Sequence, residues 1–268
     1  IVRQIDETEM PYSPDREWFT VVASIPSTTR LKNADGDTKK FASDGQGDSN
    51  EQDSNKNRSS LAGQTAKKFC FTFVVFKKGT YKIGAAHDEI GRENDELEHE
   101  VTLTQDFALL DREIKFEELI AFLPQYREIM HENEALPSTA AFGVQWYDSV
   151  SFCRWLSEQV GLPEEEQAYA SPTSIELESL PREITHSADW APRDWPINIS
   201  RGGFRLPTET EWEVAARAGS RTAYGFGDDV NHLKHFGWFE DNSQRRVHAP
   251  KELRPGVRGL IDVHGNVY

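Results

Sequence analysis

Cysteine is scarce: Cys70 and Cys153 are the only two in 268 residues, so the chain has neither a disulfide framework nor a CxxC pair. That scarcity leans toward a reducing compartment and says nothing finer. No run approaches the roughly 18 apolar residues of a membrane-spanning helix, and no charged-then-apolar leader opens the chain. Neither a membrane span nor a signal peptide is visible in these residues. Ile1 stands where a natural chain would open with Met, so a missing N-terminus is expected and localisation is left unknown. Basic residues are in deficit as well, 30 Lys and Arg against 45 Asp and Glu, for a formal net charge of -15. With no local basic patch, that charge repels phosphate backbones and anionic lipid surfaces, which argues against nucleic-acid and membrane-surface partners. A metal ion or a cationic partner remains compatible with it.

What is abundant is aromatic. Fifteen Phe and seven Trp supply a core for one large domain or two small ones. The chain divides by composition. Residues 1–31 read as an N-terminal extension whose "REWFTVVAS" (16–24) is aromatic and β-branched enough to form one strand of the main domain. Residues 32–66 are almost wholly polar, and between 32 and 64 only Phe41 and Leu61 are large and apolar. This stretch cannot offset its ordering entropy by burial and reads as a disordered low-complexity linker. Residues 67–268 form the domain proper.

Within it, "FCFTFVVF" (69–76), a Lys-Lys-Gly turn and "TYKIG" predict a β-hairpin entering the core. Residues 101–103 and 107–110 predict one or two further strands, and 114–123 a helix stopped by Pro124. "WYDSVSFCRWLSEQVG" sets Val150, Cys153, Leu156 and Val160 on one stripe, with Phe152 and Trp155 beside it, Asp148 in the first turn and Gly161 at the exit. Residues 162–203, with several Pro plus Trp190 and Trp195, predict a long irregular excursion. The densest stretch is "FRLPTETEWEVAARAG" (204–219). Thr208 and Glu211 make a capping box that fixes a helix start, and Gly219 supplies a left-handed end. Trp212, Ala215 and Ala216 form its apolar stripe and Arg205 is expected to pair with a nearby carboxylate or carbonyl. Glu209 and Glu213 could share a proton or a metal, although a solvated face is the simpler reading. Two or three helices, short strands and much coil make an α+β domain.

Four ordered motifs carry a resemblance. "GTYKIGAAHDEIGRENDELEHEVTLT" (79–104), "VQWYDSVSFCRWLS" (144–157), "FRLPTETEWEVAARAG" and "RGLIDVHGNVY" (258–268) together resemble the formylglycine-generating enzyme family, also called the sulfatase-modifying factor domain. The resemblance implies an irregular C-type-lectin-like fold. Among its members it covers copper-dependent oxidases that convert a sulfatase cysteine to formylglycine, iron-dependent sulfoxide synthases, and domains attached to bacterial signalling proteins such as Ser/Thr kinases. Copper(I) there is held by two cysteines close together, as soft thiolates suit it. The family pattern continues beyond "HGNVY" with Glu-Trp and the segment that contains this pair, so the C-terminal part is expected to be missing and this chain alone to be inactive. No catalytic residue is assigned.

Cys153 on an apolar helix stripe and Cys70 beside the linker read as structural thiols. His232 and His235 form an isolated HxxH that reads as solvated, and His99 and His264 read as hydrogen-bonded structural residues. The resemblance also implies a calcium ion near "HGN", held by Asp262 and by the backbone carbonyls of Gly265 and Val267, with a Glu expected after Tyr268. A hard cation wants such a carboxylate and carbonyl set, while an ordinary Asp and Gly-Asn turn is the plain alternative. A second family calcium site, near 237–242, has no residue-by-residue match. Two functions follow: metal-dependent oxidation of a protein or peptide cysteine, with a sulfatase-like partner, or a non-catalytic binding or regulatory module, such as the sensor part of a bacterial signalling protein. The oligomeric state is not legible. Limited proteolysis is expected to cut first within 32–64; a digest that leaves this stretch whole while cutting the domain contradicts the linker assignment.

Overall fold

The computed structural model describes residues 1–4, 18–25, 67–171 and 195–267. The sequence linker and Trp190 lie outside them. The strands are β1 (Val2–Gln4), β2 (Trp18–Ile25), β3 (Lys67–Phe76), β4 (Gly79–Ile83), β5 (His99–Leu103), β6 (Phe107–Leu110) and β7 (Phe204–Arg205). The helices are α1 (Phe116–Ile120), α2 (Tyr126–Glu132), α3 (Trp146–Gln159) and α4 (Glu209–Arg217). A five-stranded antiparallel sheet runs in the order β2, β3, β6, β1, β7, and β4 and β5 form a separate antiparallel pair.

β3 organises the molecule. Its first half alternates, with Phe69, Phe71 and Phe73 inward and Cys70 exposed, as a strand with one wet face should. Its second half, from Phe73 through Phe76, is buried on both faces. Phe69, Phe71, Phe73 and Val75 enter a large core with α1, α2 and α3. Val74 and Phe76 enter a smaller one with Val2, Phe107, Leu109, Ala215 of α4 and Leu260. The sheet therefore separates two cores, and the smaller one supports α4 and the C-terminal loops.

The expected hairpin between 69–76 and "TYKIG" does not form. β3 pairs with β2 and β6, and β4 pairs with β5. The cause lies at the turn: Lys77 Nζ and the Lys78 N–H both donate to the Asp106 carboxylate, at 2.9 and 2.8 Å, which binds the end of β3 to the start of β6 and turns β4 away. The helix expected over 114–123 is shorter, and α2 follows it after Pro124, an element the sequence reading did not foresee. α3 forms as expected, with Val150, Cys153 and Leu156 fully buried. Ser157 Oγ donates to the Cys153 carbonyl at 2.9 Å and accepts from the Phe204 N–H at 2.8 Å, which fastens α3 to β7. Of the irregular excursion, the described part holds one turn of 3-10 helix (Glu164–Glu166) and a bridge between Tyr169 and Ile197.

If β3 is the shared wall of both cores, Phe71→Ala should lower stability by roughly 3–5 kcal/mol in denaturant unfolding, because a fully buried ring leaves a cavity. A loss below about 1 kcal/mol would contradict this packing.

Candidate functional site

The helix entrance at 204–219 is a buried electrostatic joint. Arg205, fully buried, holds Glu211 with two hydrogen bonds, at 2.7 and 2.6 Å. Glu211 Oε2 also accepts from the Thr208 N–H at 2.9 Å, and Thr208 Oγ1 accepts from the Glu211 N–H at 3.2 Å. Burial by itself would raise the Glu211 carboxyl; the Arg205 guanidinium outweighs it and holds the group below its ordinary value. The buried stripe of α4 is Glu211, Val214 and Ala215, whereas Trp212 is 46% exposed, contrary to the expectation that it anchors the helix. At about 100° per residue Trp212 lies at the edge of the face that meets the smaller core. The helix also ends one residue early, with Ala218 left-handed at φ 51° and Gly219, as expected, left-handed at φ 82°. Glu209 is exposed. Glu213 accepts from the Gly84 N–H and from Arg217 Nε, both at 2.7 Å, so it ties α4 to the turn after β4 rather than sharing a metal with Glu209.

The second cluster gathers where β6 ends and the C-terminal loop returns. Its acids are Asp111 and Glu113, just beyond β6, and Asp262. Lys251 joins two of them: its N–H donates to Asp262 Oδ2 at 3.2 Å and its ammonium to Asp111 Oδ2 at 2.6 Å. The Ile261 N–H donates to the Asp111 carbonyl at 2.9 Å. Glu113 takes Asn266 Nδ2 at 2.7 Å on one oxygen and the Val267 N–H at 3.3 Å on the other. Asn266, left-handed at φ 80°, is gripped again by His248, whose N–H donates to Asn266 Oδ1 at 2.9 Å and whose carbonyl accepts from Nδ2 at 3.2 Å. His248 in turn stacks on Trp238 at 3.7 Å between ring centroids. Position 265 must be glycine: a Cβ there would lie 2.1 Å from the Trp238 carbonyl oxygen.

Burial dominates the electrostatics of this cluster. It pushes the Glu113 carboxyl up to about 8, with the Asp262 charge adding and the Asn266 and Val267 donors opposing. It also pushes Asp262 above its ordinary value, against the Lys251 N–H. Asp262 is 6% exposed, and its Oδ1 is buried with no hydrogen-bond partner among the described residues.

The remaining candidates fall apart in space. Cys153 is fully buried in the large core, where burial pushes its thiol up to about 12, and Cys70 is exposed on β3. His232 and His235 are exposed, with ring centroids 6.5 Å apart. His99 is exposed and its Nδ1 lies 2.8 Å from the Leu97 carbonyl. His264 is half-buried, edge-on to Tyr224 and Phe226, and burial lowers its pKa. Near 237–242, Asn242 spends its side chain inside its own turn, on the Phe239 N–H and the Gly237 carbonyl. Among the described residues, no three His, Cys, Asp or Glu side chains group as a metal centre. The resemblance pointed to Asp262, Gly265 and Val267 but not to Lys251, whose N–H donates to Asp262, or to Glu113, which accepts from the Val267 N–H. The one available signal was a pair of acids directly after an apolar strand.

Short antiparallel strands, few helices and long tethered loops define a mixed, C-type-lectin-like domain. The family model for the sulfatase-modifying factor enzyme 1-like domain matches residues 58–268, and the chain belongs to that family, which includes catalytic and non-catalytic members. Among solved structures the chain is similar to Treponema denticola variable protein 1, at 25% identity and a TM-score of 0.59, over 74% of this chain and 71% of that one. It is also similar to PvdO from Pseudomonas aeruginosa, at 22% identity and a TM-score of 0.49, over 74% and 69%. No curated protein matches the chain.

The Arg205 and Glu211 pair yields a sign. A carboxyl held below its ordinary 4.5 contributes stability that is present above that pH and is lost as pH falls through the folded value. Arg205→Ala, which strands a buried carboxylate, should cost roughly 3–5 kcal/mol at neutral pH and less in acid. An equal cost at neutral and acid pH would contradict the pairing.

Proposed function

We propose that this chain is a calcium-holding, formylglycine-generating-type domain that receives a cysteine-bearing protein or peptide segment, such as part of a sulfatase. In this reading, cysteine oxidation depends on thiolates other than Cys70 and Cys153. The placement of these two thiols carries the conclusion. A copper(I) centre of the kind the family uses needs two thiolates that converge on one ion. Cys153 is sealed in the large core and held protonated by burial, while Cys70 faces solvent on β3. The pair does not fit copper, nor do the separated, exposed His232 and His235 fit iron.

Calcium fits better. The buried Asp262 Oδ1, without a hydrogen-bond partner among the described residues, offers the oxygen a hard cation wants, and Gly265 permits the irregular loop conformation that such a site uses. Asp262 with the carbonyls of Gly265 and Val267 would hold the ion, which neutralises buried negative charge and stiffens the loop. The same thiol placement favours, as a second reading, a binding or regulatory module of this fold with no redox work.

The test is mass spectrometry of a sulfatase-type cysteine peptide incubated with the 268-residue chain, copper and dioxygen. Unchanged peptide is expected. Aldehyde formation that is lost on Cys70→Ser or Cys153→Ser would overturn the reading.

A further inference from the structure

We propose that Glu113 is the positioning residue of the Asp262 loop: it sets the 265–267 backbone in its ion-holding conformation without binding the ion itself. The inference rests on the calcium reading above. Three observations carry it. First, both carboxyl oxygens engage the loop, one through Asn266 Nδ2 at 2.7 Å and the other through the Val267 N–H at 3.3 Å, so Glu113 acts directly on the 266–267 segment. Second, Glu113 comes from a rigid support. It follows β6 by three residues, and the intervening Asp111 is fixed by its N–H to the Thr72 carbonyl at 2.9 Å and by the Ile261 N–H to its own carbonyl. Third, what the loop leaves open is Asp262 Oδ1: the side chain is more than nine-tenths buried, and this oxygen has no hydrogen-bond partner among the described residues.

The geometry explains why a carboxylate suits position 113. Asn266 and Val267 present two donors, one from a side chain and one from the backbone, in consecutive residues. An ionised carboxylate offers each donor its own acceptor oxygen. Asn266 cannot turn away, since His248 holds its amide from the other side through both its N–H and its carbonyl. A glutamine at 113 keeps the shape and one acceptor but turns an N–H toward one of the two donors. The loop then loses one of its two hydrogen bonds, and an ion would have to bind a looser set of carbonyls.

The experiment is calcium titration of the full chain by calorimetry above pH 8, where the Glu113 carboxyl is ionised, with thermal melts in EDTA and in saturating calcium, for wild type and Glu113→Gln. The wild type should bind calcium and melt higher with it. Glu113→Gln should bind roughly 10–100-fold more weakly, as loss of a group that orients metal ligands does, while its melting temperature in EDTA stays near that of the wild type. Glu113→Asp, which retains two acceptor oxygens, should recover part of the affinity. Wild-type affinity in Glu113→Gln would overturn the proposal while leaving the calcium reading intact. A lower EDTA melt with unchanged affinity would also overturn it, because Glu113 would then be merely structural. A wild type that does not bind calcium would overturn the calcium reading itself and this inference with it. If Glu113→Gln does not fold, Asn266→Asp, which sets an acceptor against Glu113, reads the same contact from the other side, and undiminished affinity there overturns the proposal.

Discussion

The grip of one half-buried carboxyl group on two consecutive residues, Glu113 on Asn266 and Val267, closes the C-terminal loops of this protein onto its sheet. From 218 to 267 the described chain contains no strand and only one short 3-10 helix (Val230–His235), so backbone ladders hold almost none of it. Loops of this kind keep one conformation only where specific polar contacts tie them down. Here the ties converge on Asn266 and on Lys251, which bridges Asp111 and Asp262. The left-handed backbone of Lys251, Asp262 and Asn266 marks where the chain bends to reach them.

That loop rests on a floor built elsewhere. β3 divides the apolar interior, and its second half lends Val74 and Phe76 to the smaller core beneath α4 and Leu260. The buried Arg205 and Glu211 pair locks α4 at its N-terminus, and Glu213 with Arg217 locks its exposed flank to Gly84 and Glu89. The motif of 204–219 is thus a joint between sheet and helix. Its contribution to function is indirect: it fixes the scaffold on which the Asp262 cluster is assembled.

Much of this was legible in the sequence wherever one local rule governed one element. The capping box of α4, the apolar stripe of α3 and the strand character of β3 and β6 follow from spacing and side-chain type. The pairing partners did not. Whether β3 turns back on β4 depends on Asp106, some 30 positions on, capturing Lys77 and Lys78, and no periodicity reports that. Trp212 lies outside the buried stripe because Val214 has the helical phase that faces the core. At the site, motif resemblance marked Asp262, Gly265 and Val267, yet Val267 is held by Glu113, 154 positions away along the chain, and Asp262 by Lys251, 11 positions away and outside the motif. An acid that is exposed in an extended reading becomes buried only once the loop folds over it.

Hydrogen exchange of the Val267 and His248 amides tests the central claim most directly. Each amide ends on a side chain of the clasp, Val267 on Glu113 and His248 on Asn266. If the clasp closes the fold, both should exchange as slowly as core amides of β3 and be released together when Asn266 is replaced by alanine. Exchange at the rate of open loops in the unmodified protein would contradict the account.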